Sequence, residues 1–291
     1  MGGGMKLLWL LFLALVSAIP SSAQNIIMKD GSIIATQGVR RLEDTIMATV
    51  QMPAPAPGQP ATVGELGYAI AQIQRIDFPK PAALASAVEL INSGNPDEAL
   101  RQIQTVLTYY DTFGDLPGSW WAEATVLKIQ ALIRAGRDDD AANLANEMAR
   151  TAIAPDSIQA ANVYLAVAMA RRGDYAGAEQ IYDSVLNQAT RPQTLAAAAL
   201  NDGESHLARE EWAPALLSLL QVPVFYPDQQ VLMPDVLLGS AKAYTGLRDL
   251  TRAKEALHEL ESSYSLTPEA KEGQEELGKI ARLEQTLSPP K

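Results

Sequence analysis

Five short segments recur along the C-terminal three quarters of this chain, and their spacing leaves few folds open. They are Gly94-Asn95-Pro96-Asp97-Glu98-Ala99, Gly136-Arg137-Asp138-Asp139-Asp140-Ala141, Gly173-Asp174-Tyr175-Ala176-Gly177-Ala178, Glu210-Glu211-Trp212-Ala213-Pro214-Ala215 and Arg248-Asp249-Leu250-Thr251-Arg252-Ala253. Each ends in alanine, and the alanines follow one another at intervals of 42, 37, 37 and 38. Seven residues before each segment stands Ala87, Ile129, Ala166, Gly203 or Ala241. Four residues after each alanine stands Ile103, Ala145, Tyr182, Leu219 or Leu257. Two antiparallel helices need small side chains where they cross, and a turn glycine permits the reversal between them. A helix pair of this length cannot bury its apolar face alone, so copies must stack into an array.

Composition agrees. Alanine supplies 46 of the 291 residues, whereas Phe, Trp and Tyr together supply 17, which favours close-packed helices over a sandwich of sheets. Helix starts are marked: Asn95 with Pro96 at N1 and Glu98 at N3 predicts a capping box, and Asp138 and Asp174 suit N-cap positions. The carboxylates of Asp138, Asp139 and Asp140 complement a helix N-terminus better than they build a calcium loop, whose spaced ligands and turn glycine are missing. Thr267-Pro268-Glu269 opens a last helix to about Leu287. Leu277, Ile280 and Leu283 are expected to face the preceding copy, with Glu269, Lys271, Glu272 and Glu275 in solvent.

Over roughly 81–265 the chain resembles the tetratricopeptide repeat family, through its small residue–turn glycine–alanine spacing and Pro227 after Tyr226. The family repeat is about 34 residues, and the copies here are longer by close to one helical turn. The resemblance implies a mainly α protein, a right-handed α-solenoid of about five helix pairs plus a capping helix. It also implies a concave groove, lined by the first helix of each pair, that holds a partner peptide or helix. Carried over by register, that face holds Glu123, Gln130 and Arg134 in copy two and Val163, Val167 and Arg171 in copy three. It holds Leu200 and Glu204 in copy four, and Asp235, Leu238 and Lys242 in copy five. Arg134, Arg171 and Lys242 are expected to attract acidic or carboxy-terminal groups, because cations persist on this face in a chain of net charge −11. Trp120 and Trp121, in the insertion that lengthens the first interval, form a second candidate site: an aromatic anchor for a partner, or a cover for the N-terminal module.

Two segments precede the repeats. Residues 1–23 have a short basic start at Lys6, an apolar run Leu7–Val16 and small residues Ser21 and Ala23 before Gln24, the layout of a cleavable secretory signal. No cysteine follows to carry a lipid. The expectation is an exported chain, periplasmic or secreted, soluble once cleaved. Residues 24–78 read as a small antiparallel β module of four or five strands. Asp30-Gly31 marks a hairpin turn, alternation runs through Ile46, Ala48 and Val50, the Pro/Ala/Gly tract from Met52 to Ala61 forms a loop, and the last strand ends at Phe78. The spacing of Ile70, Ile73 and Ile76 fits a helical turn as well as a strand. Ile27-Met28-Lys29-Asp30-Gly31 and Ile73-Gln74-Arg75-Ile76-Asp77-Phe78-Pro79 resemble small Sm-like or SH3-like barrels. Domains are therefore expected at 1–23 (signal), 24–78 (β module), 79–266 (repeats) and 267–287 (capping helix), with a tail at 288–291.

Catalysis has little material. With no cysteine and two histidines, thiolate chemistry and Cys-ligated zinc are excluded, and His206 and His258 stand 52 positions apart. No phosphate loop or serine elbow is present, and Glu210-Glu211 and Glu275-Glu276 diverge along their helices. The acidic balance, 34 Asp+Glu against 23 Lys+Arg, argues against nucleic acid. The reading is of a non-enzymatic scaffold that joins envelope proteins and needs neither metal nor cofactor; self-association is compatible with such a solenoid. The alternative is a cell-wall or carbohydrate-associated binder using the β module, for which Tyr68 and Phe78 are the available aromatics.

Overall fold

A computed structural model describes residues 24–53, 61–152 and 154–287. The expected signal at 1–23, the tail at 288–291 and most of the Pro/Ala/Gly tract lie outside the described residues. The chain divides into two compact units that meet between Pro79 and Lys80.

Among the described residues the first unit contains six strands: β1 (Gln24–Met28), β2 (Ile33–Thr36), β3 (Gly38–Leu42), β4 (Thr45–Met52), β5 (Thr62–Ala69) and β6 (Ile73–Asp77). They form two three-stranded antiparallel sheets, ordered β2-β1-β6 and β3-β4-β5. Alternation on β4 works as the sequence predicts: Ile46, Ala48 and Val50 are buried, as are Ile26, Ile73, Ile76 and Phe78 of the same unit. Asp30 fixes the first hairpin by accepting from the Ser32 backbone at 2.9 Å, beside Gly31 at φ +86°. The chain changes sheets at Thr36-Gln37-Gly38. There the buried Thr36 hydroxyl has the carbonyls of Gly38 (2.7 Å) and Thr49 (2.9 Å) within reach of its single proton and accepts from the Gly38 amide. Two corrections follow. Strand β3 was not expected, because Arg40 and Arg41 hide a strand with one buried side chain, Val39. The ambiguous isoleucine run resolves into a 3-10 turn at 70–72 followed by β6.

The second unit is a stack of helix pairs: α1 (Ala82–Asn92) with α2 (Pro96–Tyr110), α3 (Trp121–Arg134) with α4 (Asp138–Thr151), α5 (Pro155–Arg171) with α6 (Tyr175–Gln188), α7 (Pro192–Ala208) with α8 (Trp212–Phe225), and α9 (Met233–Gly246) with α10 (Leu250–Tyr264). A final helix, α11 (Pro268–Leu287), closes the array. All five repeat alanines, Ala99, Ala141, Ala178, Ala215 and Ala253, have no exposed surface. The preceding small positions and the following apolar positions are buried as well. Gly203 shows why size matters: a β-carbon there would lie 2.6 Å from Leu219 Cγ on the paired helix.

The turns obey one geometry. Gly94, Gly136 and Gly173 have φ of +77°, +72° and +88°, and the aligned Glu210 and Arg248 adopt +58° and +64° despite their side chains. In each turn the amide of the next residue reaches back five residues into the end of the preceding helix. Asn95, Arg137, Asp174, Glu211 and Asp249 donate to the carbonyls of Leu90, Leu132, Met169, His206 and Tyr244 at 2.8–3.0 Å. This is the Schellman closure of a helix end, and it requires the left-handed residue whatever its type.

Some expectations on caps and solvation change. Asn95 occupies the N-cap of α2, but its side chain turns back to Ser93, and no capping box forms. Asp138 is the first residue of α4 rather than its cap, and its carboxylate goes to Arg171. Asp174 does cap α6, accepting from Gly177 at 3.0 Å, and Asp249 caps α10 in the same way. On α11, Ile280 is buried and Leu277 packs against the α9–α10 core, as expected. Glu269 is not solvated: it is 7% exposed, because Arg134 draws it inward.

Candidate functional site

The first helices of the pairs line a cleft of about 740 Å³. Nine of the eleven residues expected on the concave face border it: Glu123, Gln130, Arg134, Val163, Val167, Arg171, Leu200, Glu204 and Asp235. Leu238 and Lys242 do not; Leu238 packs into the α9–α10 core, and Lys242 is held by Glu272 at 2.6 Å. Val163 has no exposed surface, so it shapes the wall from behind. Sequence transfer missed the contribution of α1, although its signal was present. The residue after each crossing position (Ala87, Ile129, Ala166 and Gly203) lines the cleft in copies one to four: Val88, Gln130, Val167 and Glu204. It also missed Asn201 on α7 and Val231 before α9.

The electrostatics differ from a field of free cations. Arg134 Nη2 sits 3.0 Å from both carboxylate oxygens of Asp235 on α9, and its Nη1 is 3.0 Å from Glu269 on α11. Arg171 reaches Asp138 at 2.9 Å. With Lys242 on Glu272, all three cations are paired within the chain, so the expected attraction of acidic groups has no unpaired cation to act through. The Arg134 pairs join residues 101 and 135 positions apart, drawing copy two to copy five and the capping helix. Burial works against the Arg134 charge, yet Asp235, Glu269 and Glu204 together hold its pKa above the ordinary value. The Asp235 carboxyl is pushed up to about 7 by burial, with Arg134 opposing and Glu204 and Glu269 adding to the rise. Glu204 is raised too, first by burial between the cleft walls, although its side chain keeps contact with solvent there.

The tryptophans are both half-buried. Trp121 donates from Nε1 to Asp111 at 3.0 Å and lies against Gly114, while Lys80 stands 5.4 Å from the Trp120 ring. His206 belongs to a packed network: its Nδ1 is 2.7 Å from Glu211 and its Nε2 is 3.6 Å from Asp202, which accepts from Ser218 at 2.6 Å. The aspartates at the start of α4 pair with arginines, Asp139 with Arg172 and Asp140 with Arg137. Among the described residues no three acidic or histidine side chains gather as a metal site, and no helix is long and apolar enough to cross a membrane. In the β unit Phe78 is buried and Tyr68 half-buried, so the aromatic platform that carbohydrate binding would use loses one of its two members.

With this geometry in place, comparison with known proteins is informative at the level of fold. The tetratricopeptide repeat family model matches residues 84–158, from α1 into α5. No curated protein matches the chain in sequence. Among solved structures, PlcR of Bacillus thuringiensis, in complex with the peptide PapR7 and DNA, is 9% identical at a TM-score of 0.50, over 72% of this chain and 73% of that one. PilW, a widely conserved type IV pilus biogenesis factor, is 15% identical over 65% and 95% at 0.40, and BtubC from P. vanneervenii is 13% identical over 73% and 96% at 0.39. The helical unit is a tetratricopeptide-like α-solenoid preceded by small antiparallel sheets.

Proposed function

We propose that the chain is a non-enzymatic scaffold of the bacterial cell envelope. It holds a peptide or helix of a protein partner in the cleft formed by α1, α3, α5, α7 and the start of α9. The observation that carries this reading is the cleft itself. It is about 740 Å³ and is lined by apolar residues such as Val88, Val126 and Val167 among polar groups that can fix a ligand's register. Export rests on the layout of residues 1–23, and the domain boundaries given above belong to the same proposal. The half-buried Trp120 and Trp121 remain candidates for an aromatic anchor at the α3 end.

A photo-crosslinker placed at Ala160, on the cleft wall, tests it against one at the exposed Glu147 on α4. The expected result is a protein adduct from position 160 in the envelope fraction, and none from 147. Adducts from 147 alone, or adducts from position 160 that survive a Gln193→Trp block of the cleft, would move the function off the cleft. Charge reversal at Arg134 is a poor probe here, because it also breaks the pairs to Asp235 and Glu269.

A further inference from the structure

A second, smaller cavity of about 160 Å³ opens where α5, α6 and α7 meet, and it shares Val167, Arg171, Asn201 and Glu204 with the cleft. Two of its lining residues carry buried hydroxyls with no hydrogen-bond partner among the described residues, Tyr182 Oη and Ser205 Oγ. Both residues are more than nine-tenths buried, at 1% and 4% exposure. Buried hydroxyls left unsatisfied are uncommon and costly, so two on residues that line one small pocket point to a partner that reaches them when a ligand enters. Glu204 supplies the third oxygen group: among the described residues its carboxylate makes no hydrogen bond or ion pair, and it borders both cavities.

The charge balance selects the ligand. Arg171, the one cation lining the pocket, is committed to Asp138, and Asp202 lies close enough to act on the Tyr182 hydroxyl. Arg134 is shared between Asp235 and Glu269, and although Arg134, Arg171 and Lys242 all favour the Glu204 charge from a distance, each is bonded to another carboxylate and none forms an ion pair with it. Burial first, then Glu204 and Asp202, hold the Tyr182 hydroxyl above its ordinary pKa, so it stays neutral and can accept. An anion would meet Glu204, and a metal ion would find a single free carboxylate. A guanidinium needs a planar fork of acceptors, whereas an ammonium has three donors on one compact centre.

We propose that this pocket receives a lysine ammonium of the peptide held in the cleft, with Glu204 as counter-charge and Tyr182 Oη and Ser205 Oγ as acceptors. The assignment rests on the groove reading and adds to it a ligand class: a basic rather than an acidic segment. Arg171 then acts as a positioning residue, kept from repelling the ligand by Asp138.

The test is a backbone-amide NMR titration of the full chain with n-butylammonium chloride, with n-butanol as the uncharged isostere. Saturable shifts centred on residues 201–208 with butylammonium, and none with butanol, are expected. Glu204→Gln should weaken the binding roughly tenfold or more, the size of one lost charge-assisted hydrogen bond, and Ser205→Ala should weaken it by about threefold. Equal shifts with butanol, no shifts, or an unchanged dissociation constant in folded Glu204→Gln would overturn the proposal. If Glu204→Gln does not fold, Ser205→Ala and Tyr182→Phe decide it by the same reading. The groove reading fails separately, when the crosslinker at position 160 captures no peptide while butylammonium still binds.

Discussion

The first three repeat turns and the last two reach the same backbone shape from different residues. Gly94, Gly136 and Gly173 enter the left-handed region at little cost, while Glu210 and Arg248 enter it against the crowding of a β-carbon. What holds the last two is common to all five: the back-reaching amide bond and an alanine crossing with no exposed surface. The lesson is that glycine is the easiest residue for this turn but not its cause. The cause is the close crossing of two helices, which leaves the connecting residue one conformation.

If crossing contacts dominate, the largest loss should come from a crossing position. Gly203→Val places new carbon within 2.6 Å of Leu219 and 3.1 Å of the Ala215 carbonyl, and should lower unfolding stability by about 3 kcal/mol or prevent folding. Thermal and urea denaturation followed by circular dichroism measure it. A loss no larger than that of a turn substitution would break the comparison.

Next in size is the pairing across the cleft. Arg134→Met leaves Asp235 and the buried Glu269 without their guanidinium, and an expected loss of about 1–2 kcal/mol reflects the solvent that Arg134 retains. The same group sets a pH dependence. A carboxyl raised to about 7 in the folded chain, against roughly 4 when unfolded, binds a proton that the unfolded chain releases. Its stabilisation is complete below about pH 4 and is lost as pH rises towards 7. Denaturation midpoints measured across that window should fall with pH, and Asp235→Asn should flatten the decline.

The smallest effects test the turns themselves. Glu210→Gly and Arg248→Gly should each stabilise by about 1 kcal/mol, since they relieve a left-handed β-carbon. Gly136→Ala, with open space around its β-carbon, should cost about the same through backbone conformation alone. Neutral results at 210 and 248 would mean that these turns have relaxed around their side chains and differ in kind from the glycine turns.

These differences also show what the sequence could reveal. The repeat was legible because burial at 15 aligned positions constrains residue size at each one, and size is written in the residue names. The cleft-lining positions Gln130, Val167 and Glu204 each follow directly after a crossing position, so register alone reaches them. The carboxylate partners of Arg134 are not reached in this way, because they depend on how far the array curves, which accumulates from small rotations between copies. Glu269 looked solvated for that reason: the charged Lys271, Glu272 and Glu275 that follow it on α11 are in solvent, and the arginine that buries it lies 135 positions away. The unexpected β3 and the missing capping box are local failures of another kind. In both, polar side chains made backbone-directed or exposed arrangements that periodicity does not report.

An array whose copies touch only their neighbours melts from its ends, one copy at a time. This one is tied between distant copies. A β-carbon on Gly94 in the first turn would meet Pro268 of the capping helix at 3.9 Å, and Arg134 binds both α9 and α11. Neither end can fray without releasing contacts made by the other, and closing such long loops slows folding more than local pairing does. The helical unit should therefore unfold in a single sharp transition and refold more slowly than an open array of equal length, with protection against hydrogen exchange in α11 matching that in α3.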